Sequence, residues 1–474
     1  MSGQHPLDYL FRPRSVAVVG ASTQMGMGSG FLAALIEGGF QGSIYPVNPK
    51  AQELMGLRCY PSLRDVPTTV DHVISSVPAA AVPQLVEDCG VKEVKSLHFF
   101  TAGFSETGDE ERAELEQRVV ERARELGIRI IGPNCMGLYV PGVGISFFPG
   151  FPKETGPIAM VSQSGANASE FVHMGALRGL RFSKVISYGN AADLTESDFF
   201  DYCAEDPETR IIASYIEGVK DGRRFLRTLS KAAAAKPVVT LKGGRTSDGG
   251  RAAHSHTGSL AGSLQVFNAV CRQAGALRVD TLEELQDVTV LLAFAPGLAG
   301  PRVGIVGAGG GHSVLATDQV ASEGLQVPAL PEETQERLRR FTPVAGTSVR
   351  NPIDTNVGWG PDGTKAVVET LRLVAEAPNV DFLLFHTAFG WGPMRDDPMK
   401  RVEEFVSTFE EGLPTISKPM LVAVRTPTTP DIMRATVAFE ERACAMGLPL
   451  FPSIGRAARA ARLLLDWRAQ RGEG

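Results

Sequence analysis

The chain lacks the features that would tie it to a membrane, a metal or an oxidising compartment. Its six cysteines, Cys59, Cys89, Cys135, Cys203, Cys271 and Cys444, fall at no metal-ligand spacing, and no metal site is expected. A chain of 474 residues needs no disulfide framework, so the thiols point to a reducing compartment, the cytoplasm. No apolar run approaches the roughly 18 residues that suggest a membrane span. Met1 to Ser15 holds no apolar core of a secretory signal. The formal net charge of −6 gives no general attraction to nucleic acid or to an anionic membrane. Any anionic ligand must be held by local donors. A Walker-type Gly-x-x-x-x-Gly-Lys-Ser/Thr loop is missing as well.

What is present is an ordinary globular composition, 43% hydrophobic and 21% charged. At about 100–200 residues per domain the length suggests three domains. A β-rich run ending in small residues and opening a helix occurs three times. The runs begin at Val16 (Val16-Ala17-Val18-Val19-Gly20-Ala21-Ser22), at Ile158 (Ile158 to Gly165) and at Val303 (Val303 to Gly311). Their starts lie 142 and 145 residues apart, each a plausible domain length. The apolar runs suit strands buried on both faces, and helical stretches such as Asp109–Leu126 and Thr281–Ala293 lie between them. This alternation predicts an α/β chain of three consecutive doubly wound domains. Pro/Gly-rich stretches place their boundaries at 1–145, 146–297 and 298–474. Sheet order is not legible at this level. Arg456–Arg471, with Ala, Leu and Arg at helical spacing, reads as a surface helix packing its leucines.

The first strand-to-helix turn is surrounded by Gly20, Ser22, Gly26 and Gly28. Glycine lets the backbone approach a phosphate, and a helix N-terminus offers unpaired N–H donors. The spacing departs from Gly-x-Gly-x-x-Gly, and the next strand ends in Asn48-Pro49-Lys50 where an NAD site places an acid. Lys50 suits a phosphorylated ribose, so CoA or NADP fits better than NAD; the alternative is a plain surface turn. Val77 and Pro78, after an apolar strand, and Asn134 and Cys135, within Gly132-Pro133-Asn134-Cys135-Met136-Gly137, extend the candidate groove. Cys135 reads as a buried small residue rather than a nucleophile, because no histidine lies near it in sequence.

In the second domain His254 and His256 sit in a Gly/Ser/Thr-rich loop, Arg251 to Gly262, poorly suited to core packing. Ser162, Gln163, Ser164 and Gly165 precede a helix whose N-terminus could stabilise a phosphoryl group on an imidazole. Glu217 ends the apolar strand Ile211–Ile216. It is either an ordinary strand-end acid or a carboxylate that bonds one ring nitrogen of His256 and frees the other as a nucleophile.

Together these segments resemble the succinyl-CoA synthetase superfamily, in its ADP-forming acyl-CoA synthetase branch. The matching stretches are Gly20–Gly28, Val47–Lys50, Ser76–Pro78, Gly132–Gly137, Ser162–Ala166, Ser187–Asp193, Tyr215–Gly218 and Ser255–Gly258. The resemblance implies a CoA-binding Rossmann-like first domain, a flavodoxin-like second domain with a phosphohistidine loop, and a third flavodoxin-like interface domain. It implies that His256 is transiently phosphorylated, with Glu217 orienting it. The third domain is carried by Gly307–His312 and Asn351-Pro352-Ile353-Asp354. Its glycine turn fits either phosphate binding or close strand–helix packing, and His312 either lines an acyl site or sits on an exposed loop.

Three domains already account for the chain. The ATP-grasp region of single-chain family members is therefore expected on a separate β subunit, in a hetero-oligomer, with Mg2+ serving the ATP there. The implied reaction joins a small carboxylic acid to CoA, with ATP giving ADP and phosphate. The alternatives are a non-catalytic CoA-sensing or partner-regulating protein, and an NADP-dependent oxidoreductase. Phe147, Phe148 and Tyr188 either shape the acyl pocket or pack the core.

Overall fold

The three apolar runs become the central strands of three sheets. The computed structural model describes residues 5–22, 26–251, 262–307, 309–342, 347–354, 361–389 and 397–472. The first sheet holds β1 (Ser15–Val19), β2 (Ser43–Val47), β3 (His72–Ser75), β4 (Ser96–Phe99) and β5 (Arg129–Ile131), parallel throughout, in the order β2-β1-β3-β4-β5. The second holds β6 (Gly137–Tyr139), β7 (Thr155–Ser162), β8 (Phe182–Ser187), β9 (Ile211–Ile216), β10 (Val238–Lys242) and β11 (Leu277–Val279), in the order β11-β10-β9-β7-β8-β6. Only β6, at the edge of that sheet, runs antiparallel. The third holds β12 (Val303–Gly307), β13 (Ile353–Asp354), β14 (Phe382–Thr387), β15 (Met420–Val424) and β16 (Leu450–Phe451), in the order β13-β12-β14-β15-β16.

With β6 set aside, each sheet places its first parallel strand between its second and third. This is the flavodoxin-type doubly wound order, whose ligand crevice lies at the carboxyl edge between strands one and three. The runs without alternation mark strands covered by helices on both faces: β1, β8, β12 and β15 are buried at every position.

Helix limits follow from local chemistry. Asp109 caps Glu110–Glu125 by accepting from Arg112 N at 3.2 Å, with acids in the first turn and arginines in the last. Thr281–Ala293 is realised as Leu282–Phe294. The final helix, Ile454–Gln470, is capped by Ser453 and buries Ala457, Ala461, Leu464 and Trp467, so its apolar side packs inward as the pattern predicts. Among the described residues no helix is long and apolar enough to cross a membrane.

Contacts divide the chain into two compact units. One is Met1–Ala176 with Leu180–Leu282 and carries the first two sheets. The other is Leu177–Gly179 with Glu283–Gly474 and carries the third. Within the second unit Asp287 accepts from Arg178 at 2.6 Å and from Arg456 at 2.7 Å, tying helix Leu282–Phe294 to the final helix.

Candidate active site

The carboxyl edge of the first sheet gathers the residues singled out for the nucleotide. Gly20, at φ +93°, follows β1, and its N–H donates to Val47 O at 3.1 Å. A Cβ on Gly28 would sit 2.4 Å from Gly20 O, so strand and helix approach as only glycine permits. Gly26 caps helix Met27–Gly38. Asn48 Nδ2 donates to Ala21 O at 2.5 Å and its Oδ1 accepts from Lys50 N at 2.8 Å, which ties the end of β2 to the turn after β1. Lys50 is exposed and has no ion pair among the described residues. Val77 O accepts from Thr101 Oγ1 at 2.7 Å, and Thr101 O accepts from Asn134 N at 3.0 Å. Ser76 N donates to Val19 O at 2.9 Å, so the stretch that Thr101 ties to Val77 and Asn134 is also bonded to the end of β1 beside Gly20, with Pro78 following Val77. Cys135 is buried with Sγ toward Phe99 O at 3.6 Å, and burial pushes its thiol pKa far up, so it is no nucleophile at neutral pH.

The second sheet supplies a second polar turn. Ser162 Oγ donates to Ser164 O at 2.7 Å and accepts from Ser164 N at 3.2 Å, fixing the entry to helix Gly165–Leu177. Gln163 N donates to Tyr215 O at 3.0 Å. Its Oε1 accepts from Glu217 N at 2.7 Å and Gly218 N at 3.0 Å, which locks the end of β9 against the end of β7. Glu217 is 5% exposed, and the Tyr215 hydroxyl bonds to it and to Asn167. Lys242 Nζ donates to Glu217 O at 2.6 Å and to Gly243 O; burial pulls its pKa down to about 8, against the opposing charge of Glu217. His254 and His256 lie outside the described residues, as do Thr23 to Met25 in the first turn. The described chain leaves this loop at Arg251 and re-enters at Gly262, ahead of the Ser263-capped helix Leu264–Ala274, whose Phe267 ring lies 6.0 Å from Lys242 Nζ.

The two edges are joined by backbone. Asn190 N donates to Pro133 O and Ala192 N to Gly132 O, both at 3.0 Å, and Met136 N donates to Ser187 Oγ at 3.0 Å. A Cβ on Gly189 would sit 2.2 Å from Pro133 O and one on Gly165 2.5 Å from Met136 Cγ. The Gly132–Gly137 and Ser187–Asp193 motifs thus form one seam. Several functional candidates at it escaped the sequence reading. Glu106 and Glu116 accept from Asn190 Nδ2 at 2.7 and 3.4 Å, Lys220 Nζ donates to Asn190 O at 3.0 Å, and Asp193 accepts from Arg124, Arg129 and Ile130 N. Each bond spans 30 residues or more, so local pattern carries no signal for it. Tyr188 and Phe147 are fully buried, whereas Phe148 is 40% exposed and stacks on Phe151.

Three family descriptions match in order along the chain: a CoA binding domain over residues 14–141, a succinyl-CoA ligase like flavodoxin domain over 155–292, and a ligase-CoA domain over 303–443. Fold and matches define an acid–CoA ligase of the type that forms a nucleoside diphosphate. The chain is 36% identical over 468 residues to the acetate–CoA ligase (ADP-forming) I subunit alpha of Pyrococcus furiosus, covering 97% of both chains. It is 40% identical over 382 residues to the corresponding II subunit alpha of the same organism, covering 80% of this chain and 81% of that one. The solved acetyl-coenzyme A synthetase 1 of Ca. Korarchaeum cryptofilum, in complex with phosphate and ADP, matches with a TM-score of 0.81 at 33% identity over 98% of both chains. The chain belongs to the ADP-forming acetate–CoA ligase family, in its alpha-subunit form. It spans about half the length of the relatives from Methanocaldococcus jannaschii and Archaeoglobus fulgidus, 49% and 54% respectively.

Proposed function

We propose that this chain binds CoA and carries the phosphohistidine of a two-chain enzyme that converts a small carboxylic acid, ATP and CoA into acyl-CoA, ADP and phosphate. The observation that carries the proposal is a continuous bonded path between the two edges. It runs from the Pro133–Asn134 turn through Asn190 and Tyr188 N, which donates to Ser162 O at 3.0 Å, to Gln163 and on to Glu217. A CoA edge and a carboxylate edge held in one rigid seam suit a thioester-forming site.

In this reading Gly20, Ser22, Gly26, Gly28, Asn48, Lys50, Val77, Pro78, Asn134 and the backbone of Cys135 receive CoA, with Lys50 meeting its ribose phosphate. His256 accepts the phosphoryl group through one ring nitrogen while Glu217 holds the other. Ser162, Gln163, Ser164 and Gly165, at the start of a 13-residue helix, stabilise the phosphate. The domains divide as 1–145, 146–297 and 298–474. ATP binds an ATP-grasp β subunit, and Mg2+ would neutralise its phosphates there. The six free thiols, five of them buried, suit the cytoplasm. Relatives named for acetate and for 4-hydroxybutyrate support a short carboxylic acid as substrate. The non-catalytic alternative is not favoured.

Incubation of the chain with its partner, Mg2+ and gamma-labelled ATP should give an acid-labile label on this chain. His256→Ala should lose the label and thioester formation together. Full thioester formation by His256→Ala would overturn the assignment.

A further inference from the structure

Glu217 carries a side-chain tie that the ligase reading leaves without a role. Its backbone is held on both sides: its N–H donates to Gln163 Oε1 at 2.7 Å, and its carbonyl accepts from Lys242 Nζ at 2.6 Å. Neither bond fixes the side-chain torsions of a glutamate, whose freedom is among the largest that a side chain loses on ordering. A carboxylate that serves one partner in one orientation needs an anchor of its own.

Tyr215 supplies that anchor. It stands in β9 two residues before Glu217, and residues two apart along a strand leave from the same face. Its hydroxyl bonds to Glu217 and to the Asn167 side chain. An ionised carboxylate only accepts, so the phenol gives its one proton to Glu217 and takes its second bond from Asn167 Nδ2. Burial first, then the charge of Glu217, push the Tyr215 pKa above its ordinary value, so the phenol keeps the proton it donates. The bonds run in one direction, from Asn167 to Tyr215 to Glu217, and donors polarised in series strengthen one another.

Local structure fixes the chain of bonds at both ends. Asn167 lies in the first turn of helix Gly165–Leu177, and its N–H donates to Ser164 Oγ at 3.3 Å. Gly243, just past β10, leaves the space the bonds occupy: a Cβ there would stand 2.4 Å from Tyr215 Oη and 3.2 Å from Glu217 Cγ. Gly243 N donates to Ile216 O at 2.8 Å, so that backbone is itself tied down. One bond from Tyr215 leaves a carboxylate able to accept from an imidazole N–H as well.

We propose that Tyr215, itself held by Asn167, is a positioning residue for phosphoryl transfer, keeping the Glu217 carboxylate in the orientation from which it serves the histidine. The proposal rests on the reading that Glu217 holds His256.

The rate of acid-labile labelling by gamma-labelled ATP, measured across ATP concentrations on the full chain with its partner and Mg2+, tests this well below the Tm of each variant. Tyr215→Phe keeps the ring and removes the hydroxyl. Its maximal labelling rate should fall about ten-fold, the loss expected for one hydrogen bond to a charged group, with half-saturating ATP and CoA affinity unchanged. Asn167→Ala should lower the rate less, and should add nothing in the Tyr215→Phe background, because a chain already cut has no second link to lose. A Tyr215→Phe rate within about two-fold of wild type, while Glu217→Gln loses the label, would overturn the role of Tyr215 and leave that of Glu217 standing. Losses that add in the double variant, or a loss explained by weaker ATP saturation, would overturn it too. Full labelling of Glu217→Gln would overturn the underlying reading together with the proposal.

Discussion

Gln163 offers the sharpest test of the seam, because one side-chain oxygen accepts two backbone N–H groups at the end of β9. Those bonds, at 2.7 and 3.0 Å, belong to Glu217 and Gly218, and Gln163 is 4% exposed. Gln163→Leu keeps the bulk and removes the acceptor. A buried donor left unsatisfied costs about 1–3 kcal/mol, so losing the shared acceptor should destabilise the fold by about 2–4 kcal/mol. For a unit of this size each kcal/mol lowers Tm by about 2–4 °C, so thermal unfolding should shift down by about 5–15 °C. The same change releases the backbone that aims Glu217. Labelling by gamma-labelled ATP, measured well below the new Tm, should therefore fall while CoA affinity holds, because the CoA edge is anchored separately through Asn48 and Thr101. A Tm within about 1 °C of wild type, with full labelling, would refute the role given to Gln163.

Three further outcomes follow from the geometry. Lys50→Glu should weaken CoA binding by about ten-fold or more and flatten its salt dependence with no change in Tm, since Lys50 is exposed and makes no ion pair among the described residues. Burial, helped by the neighbouring His98, holds His72 down to about 3, and burial holds His98 to about 4. The unfolded chain therefore binds more protons below about pH 6.5, and stability should fall as pH drops toward 4, by about 2 kcal/mol per ring at pH 5. Urea midpoints should show this limb flattened when both histidines are replaced by Gln; an unchanged slope would exonerate the rings. Asp193, 1% exposed at its side chain, is pushed up by burial but held below its usual pKa by hydrogen bonds from Arg129, Ile130 N and Arg124. Asp193→Asn should cost about 2–4 kcal/mol by denaturant titration at pH 7, because it leaves Arg129 without its partner; a loss under about 0.5 kcal/mol would mean that solvent already satisfies the arginines.

The sequence exposes elements whose causes are local. The runs from Val16, Ile158 and Val303 lie in strands and are buried along those runs, which an uninterrupted apolar stretch announces, and Asp109 announces a helix start because a cap is a two- or three-residue device. The glycines at 20 and 28 and the Asn48–Lys50 end of β2 are legible for the same reason. Strand order is not, because the pairing of β1 with β3 as well as with β2 depends on the whole sheet. Nor is the buried Lys184, whose ammonium meets Asp206 and lies 5.3 Å from the Tyr202 ring: alone, a lysine in an apolar run reads as a strand end. Lys242 and Glu106 are hidden in the same way, their partners lying 25 and 84 residues off.

One strand order repeated three times yields different chemistry through the polar residue that ties the crevice. In the first sheet Asn48, at the end of the second strand, donates to a carbonyl of the glycine turn, so it makes no claim on the N–H groups that meet a phosphate in the proposed CoA site. In the third sheet Asp354, at the equivalent strand end, accepts from Gly309 N and so occupies the helix N-terminus with a charge of its own. An anion at the third edge must then find a cation elsewhere, and Arg425, half-buried and without an ion pair among the described residues, lies just past β15. In the second sheet the tie runs from strand one to strand three through Gln163, and what it fixes is not a ligand turn but the position of a carboxylate. Exchanging Asn48 for Asp should therefore do more than shorten a hydrogen bond: it would place an acceptor against the Ala21 carbonyl and a negative charge beside the phosphate turn, so CoA binding should collapse while sheet order stays intact.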